Sequence, residues 1–256
     1  MYKQKKLQII AFLIAICLFV VFLITPPVWN LKNGPITIDM WRFKGKEEVR
    51  VGPGEEGWTP YEEISMHLIN AVVVSEDARF FKHSGIDPRA IWESMKLNFE
   101  KGKIVRGGST ITQQTIKLAF LGSEKTYFRK IREVLGALLA EKILSKNEII
   151  TWYTNLVNFG PGIYGVKSAA HDYFDTYPIL LTIQESAHLA TVLPGPSIWS
   201  KSLKEKSLTE YGRRRFKKII IEMYRQGYIT KELWESATNT GNFGNPVNYG
   251  ETKDEE

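Results

Sequence analysis

The feature that most constrains this chain is an uncharged apolar run near its N-terminus. Residues 7–25 contain no charged side chain, and a helix of about 20 apolar residues can cross the hydrocarbon core of a bilayer. A secretory signal peptide would have a shorter apolar region and a small-residue cleavage site, so we expect an uncleaved anchor over residues 1–27. Lys3, Lys5 and Lys6 precede the run. By the positive-inside rule they predict a single-pass cell-membrane protein with a cytoplasmic N-terminus and an extracytoplasmic remainder.

The composition excludes several classes of site. The only cysteine is Cys17, inside the apolar run, so neither an intrachain disulfide nor a cysteine-rich metal site can form. The four histidines are scattered without a compact ligand spacing, which argues against a histidine metal cage. A net charge of +6 suits an anionic surface or substrate but does not require nucleic acid, and we expect no nucleic-acid partner.

The remainder is predicted to be an all-α domain on a stalk. Residues 28–60 are rich in glycine and charge and are predicted to be an irregular or short extended linker. Residues 61–237 form the predicted domain, and the polar tail 238–256 is predicted to be disordered. Helical spacing of apolar residues and capping signals predict helices over these segments: 61–74, 87–98, 110–120, 127–144, 147–157, 166–174, 183–193, 208–225 and 230–237.

A pair of acids, Glu76 and Asp77, lies between apolar residues in the stretch 71–87. A carboxylate in apolar surroundings holds a proton more tightly and can act as a general base near neutral pH. The alternative is a helix C-terminus whose acids face water beside an ordinary aromatic core. This stretch alone does not decide between the two.

Two later stretches carry groups suited to an anion. Gly107 and Gly108 precede a predicted helix that Ser109 or Thr110 can cap, which would leave N–H groups free to bind phosphate. Such glycine pairs are also common in ordinary loops. Farther on, Arg129 and Glu133 have the spacing of a surface ion pair on a helix, the simpler interpretation of that segment taken alone.

Five stretches together form a recognisable series. They read Glu76-Asp77-x-x-Phe80-x-x-His83-x-Gly85-x-Asp87, then Gly107-Gly108-Ser109-Thr110-Ile111-x-Gln113-Gln114-x-x-Lys117, then Arg129-Lys130-x-x-Glu133, then Tyr153-x-Asn155 with Phe159-Gly160, Gly165-Val166, Ala169-Ala170 and Tyr173-Phe174, then Glu185-x-Ala187-x-Leu189-Ala190 through Pro194. In this order they resemble the five motifs of the peptidoglycan glycosyltransferases, glycosyltransferase family 51. The resemblance covers about residues 60–227. Since no Ser-x-x-Lys or Lys-Thr-Gly element follows, it is to the monofunctional type.

The resemblance implies a lysozyme-like α-helical fold with a small membrane-facing lobe, which amphipathic segments near residues 80–120 could form. It also implies polymerisation of lipid II, in which the growing glycan strand leaves its polyprenyl pyrophosphate and joins the next lipid II with inversion. Glu76 matches the general base, and Glu133 a second essential glutamate that would hold a divalent metal (Mg or Mn) or the basic residues. Asp77, Phe80 and His83 would support the cleft. The other matched positions would bind substrate: Arg106, Gly108, Ser109, Thr110, Gln114, Lys117, Arg129, Lys130 and Asn155.

The sequence departs from the family pattern at a few positions. Thr154 stands where leucine is usual, Asp175 stands near a place where the family commonly has lysine, and the fifth motif lacks a later proline. Two other functions are kept as alternatives: a lysozyme-like hydrolase or lytic transglycosylase, and an inactive cell-wall scaffold. The basic residues beside the glycine pair argue against the hydrolase, because cleavage of a neutral glycan needs no pyrophosphate site. A separate transpeptidase is expected as a partner for cross-linking.

Overall fold

The computed structural model describes residues 2–39, 48–103, 107–122 and 124–239. Helices dominate these segments, so the prediction of an all-α fold is confirmed. The helices are α1 (Tyr2–Ile24), α2 (Asn30–Asn33), α3 (Met66–Glu76), α4 (Pro88–Glu100), α5 (Ile111–Phe120), α6 (Tyr127–Ile143), α7 (Lys146–Leu156), α8 (Gly165–Phe174), α9 (Ile183–Val192), α10 (Pro196–Lys204), α11 (Glu210–Arg225) and α12 (Lys231–Asn239).

Side-chain caps fix where many of these helices begin. Asp87 accepts hydrogen bonds from the N–H groups of Arg89 and Ala90, and Pro88 occupies the first position of α4. Reciprocal capping boxes begin α5, α7 and α9. Each such cap contributes about 1 kcal/mol to helix stability. The polar residues that begin these helices in the sequence therefore determine the observed boundaries.

The core forms around α3, which packs against α9 and α11, while α5 packs against α6 and α7. The side chains of Leu68, Ile69 and Val72 on α3 are fully buried. Ala187 and Ala190 on α9 are fully buried as well, and their small side chains let the two helices approach closely. This packing brings the C-terminal end of α3 beside the N-terminal end of α5.

The segment predicted to be a linker contributes to the core instead. It contains α2 and a two-stranded antiparallel hairpin, β1 (Ile36–Asp39) with β2 (Glu48–Val51). Val28, Leu31, Ile36 and Ile38 are all buried. The two short strands agree with the predicted extended structure, but the burial of these residues was not predicted, because the glycines and charges around them mask a few core positions. The predicted boundaries of the domain stay predictions, and most of the predicted tail lies outside the described residues.

Two further elements were not predicted. A second hairpin, β3 (Asn158–Gly160) with β4 (Ile163–Tyr164), lies between α7 and α8. Pro196 begins α10, a helix that is absent from the predicted set. Proline is favoured in the first turn of a helix, so the same residue type can end one helix and begin the next.

The N-terminal apolar run forms one continuous helix of 23 residues, α1. Within it, residues Gln4–Val21 are long and apolar enough to cross a membrane, and no part of that window is buried against the protein. An apolar surface of this kind is compatible with a membrane anchor.

Exposed large apolar residues also occur on α4 and α6, at Trp92, Met95, Phe99, Tyr127, Phe128 and Ile131.

Candidate active site

A cleft of about 410 Å³ opens between the C-terminal end of α3 and the N-terminal end of α5. Its walls include Glu76, Asp77 and the glycine pair, together with Tyr211 and Arg215 from α11. The predicted site residues that line it come from two separate stretches of sequence: Glu76, Asp77, Gly108, Ser109, Thr110 and Gln114. The structure thus brings the first two sequence motifs into one cavity.

Glu76 is the last residue of α3, and its side chain is 13% exposed. Its Oε1 accepts a hydrogen bond from Arg215 Nη2 at 3.1 Å, and its Oε2 accepts one from Gln114 Nε2 at 3.2 Å. The Ser75 hydroxyl lies 3.2 Å from Oε1. The sequence predicted apolar surroundings for this carboxylate, and that prediction was wrong, because polar donors from three segments surround it.

Arg215 is a functional candidate that the sequence analysis missed. It lies on α11, 139 residues from Glu76 in the chain, and Nη2 also donates to the Ser75 hydroxyl at 2.7 Å. Its guanidinium is mostly buried, whereas neighbouring Arg214 is exposed and pairs with Glu210. Only the pattern of an amphipathic helix could have separated these two arginines in the sequence, and it gives no reason to place either beside Glu76.

Gln114 is itself held by a buried tyrosine. The Tyr153 hydroxyl donates to Gln114 Oε1 at 3.3 Å, and the tyrosine side chain is fully buried on α7. Burial and the nearby Glu76 carboxylate raise the pKa of Tyr153 well above its usual value. The hydroxyl therefore stays protonated and orients the amide so that its NH₂ group faces Glu76.

Asp77 connects α3 to α5. Both of its carboxylate oxygens lie 3.0 Å from His83 Nε2, and Oδ2 also accepts the N–H of Ile111 at 3.0 Å. A carboxylate at this position compensates the positive end of the α5 dipole. Phe80 is fully buried, with the Lys146 ammonium 4.3 Å from its ring centroid. These contacts give Asp77, His83 and Phe80 a supporting role around the cleft.

The N–H groups that begin α5 are largely occupied. Asp77 takes that of Ile111, the Thr110 hydroxyl takes that of Gln113, and the Gln113 side chain takes that of Thr110. The Thr110 hydroxyl also donates to the Gly85 carbonyl at 2.7 Å. The prediction that free N–H groups at this helix start bind phosphate is therefore wrong for these three groups. Ser109 and the basic residues of α6 are the remaining candidates.

Glu133 lies in the middle of α6 and is 2% exposed. Its Oε2 accepts from Arg129 Nη1 at 2.7 Å, and its Oε1 accepts from the Lys130 ammonium. Lys130 also donates to the Ser109 hydroxyl at 2.9 Å, which links α6 to the edge of the cleft. Each carboxylate oxygen is thus already bonded to a cation. This donor set does not fit a metal ion held by Glu133.

A second possible metal-binding group consists of Asp77, His83 and Asp87. Each residue offers one potential ligand atom, and these atoms lie within 4.8 Å of one another. Asp77 already binds Ile111 N–H, and Asp87 caps α4 and lies 3.3 Å from Arg79 Nε. The carboxylates are therefore engaged in the fold. The described residues of this group form a structural network rather than an open metal site.

Asn155 is not brought to the cleft. Its side-chain oxygen accepts the N–H of Thr59 at 2.8 Å, and its NH₂ group donates to the carbonyls of Thr59 and Thr151. All of these contacts lie in the interior, so the prediction of substrate binding by Asn155 is replaced by a structural role. Lys117 is half-buried in the last turn of α5, outside the cleft lining. Arg106 lies outside the described residues.

A larger cavity of about 670 Å³ lies elsewhere, beside α8 and α9. Its lining includes His171, Glu185 and His188, but none of the site residues predicted from the sequence. His188 is fully buried and stacked at 4.5 Å on Phe216, and burial lowers its pKa to about 3. The ring is thus neutral at pH 7. The smaller cleft is the better candidate because acid, amide and guanidinium groups converge there.

The chain is similar to known proteins over most of its length. A family model described as "Transglycosylase" matches residues 46–224, more than half of the chain. A biosynthetic peptidoglycan transglycosylase of Paraburkholderia xenovorans (strain LB400) is 40% identical over 179 residues, covering 68% of this chain and 73% of the relative. One of Shewanella amazonensis (strain ATCC BAA-1098 / SB2B) is 37% identical over 231 residues, covering 90% and 89%.

A longer relative matches as well. Penicillin-binding protein 1A of Aquifex aeolicus (strain VF5) is 36% identical over 248 residues, which cover 92% of this chain but 33% of that protein. The similarity therefore lies within one part of the larger protein. The chain therefore belongs to the transglycosylase family and is a peptidoglycan glycosyltransferase.

Proposed function

We propose that this glycosyltransferase polymerises lipid II by transferring the growing glycan strand from its polyprenyl pyrophosphate to the 4-hydroxyl of the next lipid II. The observation that carries the proposal is the pairing, around one cleft, of a carboxylate able to accept a proton with cations able to face a pyrophosphate. Glu76 supplies the first, and Lys130 supplies the second through its contact with Ser109.

In the proposed reaction, Glu76 accepts the proton of the acceptor hydroxyl as that oxygen attacks the anomeric carbon. Oε2 receives one hydrogen bond, from the neutral Gln114 amide, and so keeps acceptor capacity for the substrate. Arg215 and Gln114 fix the carboxylate in position before the substrate arrives. Attack from the face opposite the leaving group inverts the anomeric configuration from α to β.

The bond to the pyrophosphate breaks as the new glycosidic bond forms, and negative charge develops on the leaving group. Arg129 and Lys130 provide positive charge at that point, and Glu133 holds both in place. A neutral hydrogen bond from Ser109 adds to them. A divalent ion, Mg or Mn, would have to be carried by the pyrophosphate oxygens, because both oxygens of Glu133 are bonded to cations.

The substrate lies in a membrane in this proposal, and three apolar features support that setting. These are α1, the exposed face of α4 with Trp92 and Phe99, and the start of α6 with Tyr127 and Phe128. In this proposal the N-terminus lies in the cytoplasm and the catalytic domain outside, an orientation that the lysines before the apolar run support through the positive-inside rule. Cross-linking of the product would fall to a separate transpeptidase.

The test uses the purified full chain in detergent with lipid II, with and without Mg or Mn. We expect long glycan strands and release of polyprenyl pyrophosphate. A parallel reaction with finished peptidoglycan tests the hydrolase alternative, which predicts soluble fragments. Fragments from that reaction without polymer from lipid II would overturn the proposal, and no product in either reaction would favour the inactive scaffold.

A further inference from the structure

Helix α6 carries the pyrophosphate-facing cations and also contacts the membrane helix. One residue before Glu133, Arg132 donates from Nε to the carbonyl of Ile24 at 2.8 Å. Ile24 is the last residue of α1. A single rigid helix thus joins the exit of the anchor to the catalytic cations.

The Arg132 contact provides a hydrogen-bond donor for a carbonyl at the C-terminal end of α1. The last four carbonyls of a helix have no partner within the helix, and near a membrane few water molecules replace them. A guanidinium at this end also complements the negative end of the helix dipole. Arg132 therefore caps the membrane helix at the point where the chain leaves it.

Gly136 marks a second contact, one turn farther along α6. A Cβ atom at this position would lie 3.3 Å from the ring of Pro26 and 2.7 Å from Ile116 Cγ2. The absence of a side chain thus lets α6 pack directly on the first residues after the anchor. In the middle of a helix glycine costs about 1 kcal/mol relative to alanine, so close packing is a physical reason for its presence here.

The chain between anchor and domain is fixed at further points. Val28 is fully buried, the Trp152 indole N–H donates to the carbonyl of Leu31 at 3.0 Å, and Lys32 pairs with Glu148 at 2.6 Å. Together with the packing of Pro26 on Gly136, these contacts hold the chain between Pro26 and Lys32 against α6 and α7. The exit of the anchor is a packed joint rather than a flexible tether.

We infer that Arg132, supported by the packing of Pro26 on Gly136, is a positioning residue for the reaction. It sets the height and tilt of α6 relative to the membrane, so that Arg129 and Lys130 meet the pyrophosphate of a lipid held in the bilayer. This inference rests on the proposed function, because it takes the substrate to be a membrane-bound pyrophosphate. A substrate free to diffuse in water would not need this alignment.

The test compares the full-length protein and its Arg132→Ala variant on two substrates: long-chain lipid II in vesicles and a short-chain, water-soluble analogue. In vesicles we expect Arg132→Ala to raise the apparent KM about tenfold, the effect of losing one charge-assisted hydrogen bond. With the soluble analogue, activity should stay within about twofold of wild type, because the cleft itself is unchanged. Arg132→Lys keeps a cationic donor and should recover most of the loss.

Lys142→Ala is the matched control, since this lysine is exposed on the same helix. Thermal unfolding of each variant distinguishes a misplaced α6 from a misfolded protein, and a lower Tm for Arg132→Ala without any effect on KM would count against the inference. Equal loss on both substrates, or no loss on either, would overturn it. Wild-type protein inactive on both substrates would instead contradict the proposed function, so the two failures are distinguishable.

Discussion

The two glutamates of the site differ in how their negative charge is balanced. Glu76 ends α3 at an open cleft and receives one guanidinium from a distant helix plus a neutral amide. Glu133 lies in the middle of α6, 2% exposed, and both oxygens bind cations from its own helix. Glu76 lines the cleft, and its Oε2 is bonded to a neutral amide, so this oxygen can take a proton. Each oxygen of Glu133 is instead held by a cation in the interior, which suits this carboxylate to holding Arg129 and Lys130 in place.

The largest effect should follow Glu76→Gln. Glutamine keeps an oxygen for Arg215 but cannot accept the proton, so kcat should fall by about 10²–10⁴-fold, the usual contribution of a general base. The Tm should change little. Steady-state polymerisation of lipid II measures the loss, with the exposed Glu205→Gln as control. A kcat close to that of the wild type in Glu76→Gln would contradict the role of Glu76 as general base, and with it the proposed difference between the two glutamates.

Compared with Glu76→Gln, Glu133→Gln should lower the stability of the protein more and its activity less. Two cations lose their buried partner, so we expect a fall of about 2 kcal/mol in the free energy of unfolding, within the range for hydrogen bonds to charged groups. Activity should fall by about 10–100-fold through weaker orientation of Arg129 and Lys130. Denaturant unfolding and polymerisation kinetics on the same preparation test both. A stable variant with no activity at all would assign Glu133 a direct chemical role.

Arg215→Ala probes the guanidinium on the Glu76 side, and Arg214→Ala is its matched control one residue away. Loss of Arg215 leaves the carboxylate free to rotate, and kcat should fall by about tenfold, the equivalent of one hydrogen bond of roughly 1.4 kcal/mol. Arg214 forms an exposed i, i+4 pair worth a few tenths of a kcal/mol, so its variant should behave like wild type. Equal effects from the two would show that Arg215 acts only through the general charge of α11.

Tyr153→Phe should have the smallest effect. It removes the hydroxyl that orients Gln114 but leaves the ring packed in the core, and one neutral hydrogen bond of about 1 kcal/mol corresponds to roughly a fivefold change in kcat. The raised pKa of Tyr153 means that its hydroxyl does not ionise in the working range. The pH–rate profile should therefore keep its shape in this variant. A changed profile would place Tyr153 in the proton path.

Much of the fold could be predicted from local signals, since apolar periodicity and capping residues act within one or two turns. The helices containing Gln114 and Glu133 were predicted near their observed positions, whereas the helix predicted over residues 61–74 began before α3 and ended short of Glu76. The strand pair β1–β2 and the buried Leu31 were missed because their partners are distant in the chain: β1 packs on α5, and Trp152 of α7 donates to the Leu31 carbonyl.

The site residues also differ in whether local sequence or tertiary packing determines their role. Glu76 and Glu133 could be singled out from their motifs, whereas Arg215 could not, because its role depends on tertiary packing of α11 against α3. For Asn155 the motif predicted too much. Its place in the motif suggested substrate binding, but its side-chain amide forms hydrogen bonds to the Thr59 backbone inside the core. Sequence motifs indicate which residues belong to the site, and the hydrogen-bond partners in the structure indicate the role of each one.

The distance in the chain between Glu76 and Arg215 has a consequence for biosynthesis. Synthesis proceeds from the N-terminus, so Glu76, the α5 start and the α6 cations all emerge well before α11. During that interval the growing chain contains every acidic and basic residue of the cleft except the one that fixes Glu76. The enzyme is therefore immature until its last long helix docks, and a nascent or truncated chain ending before α11 would occupy the membrane without a completed catalytic centre.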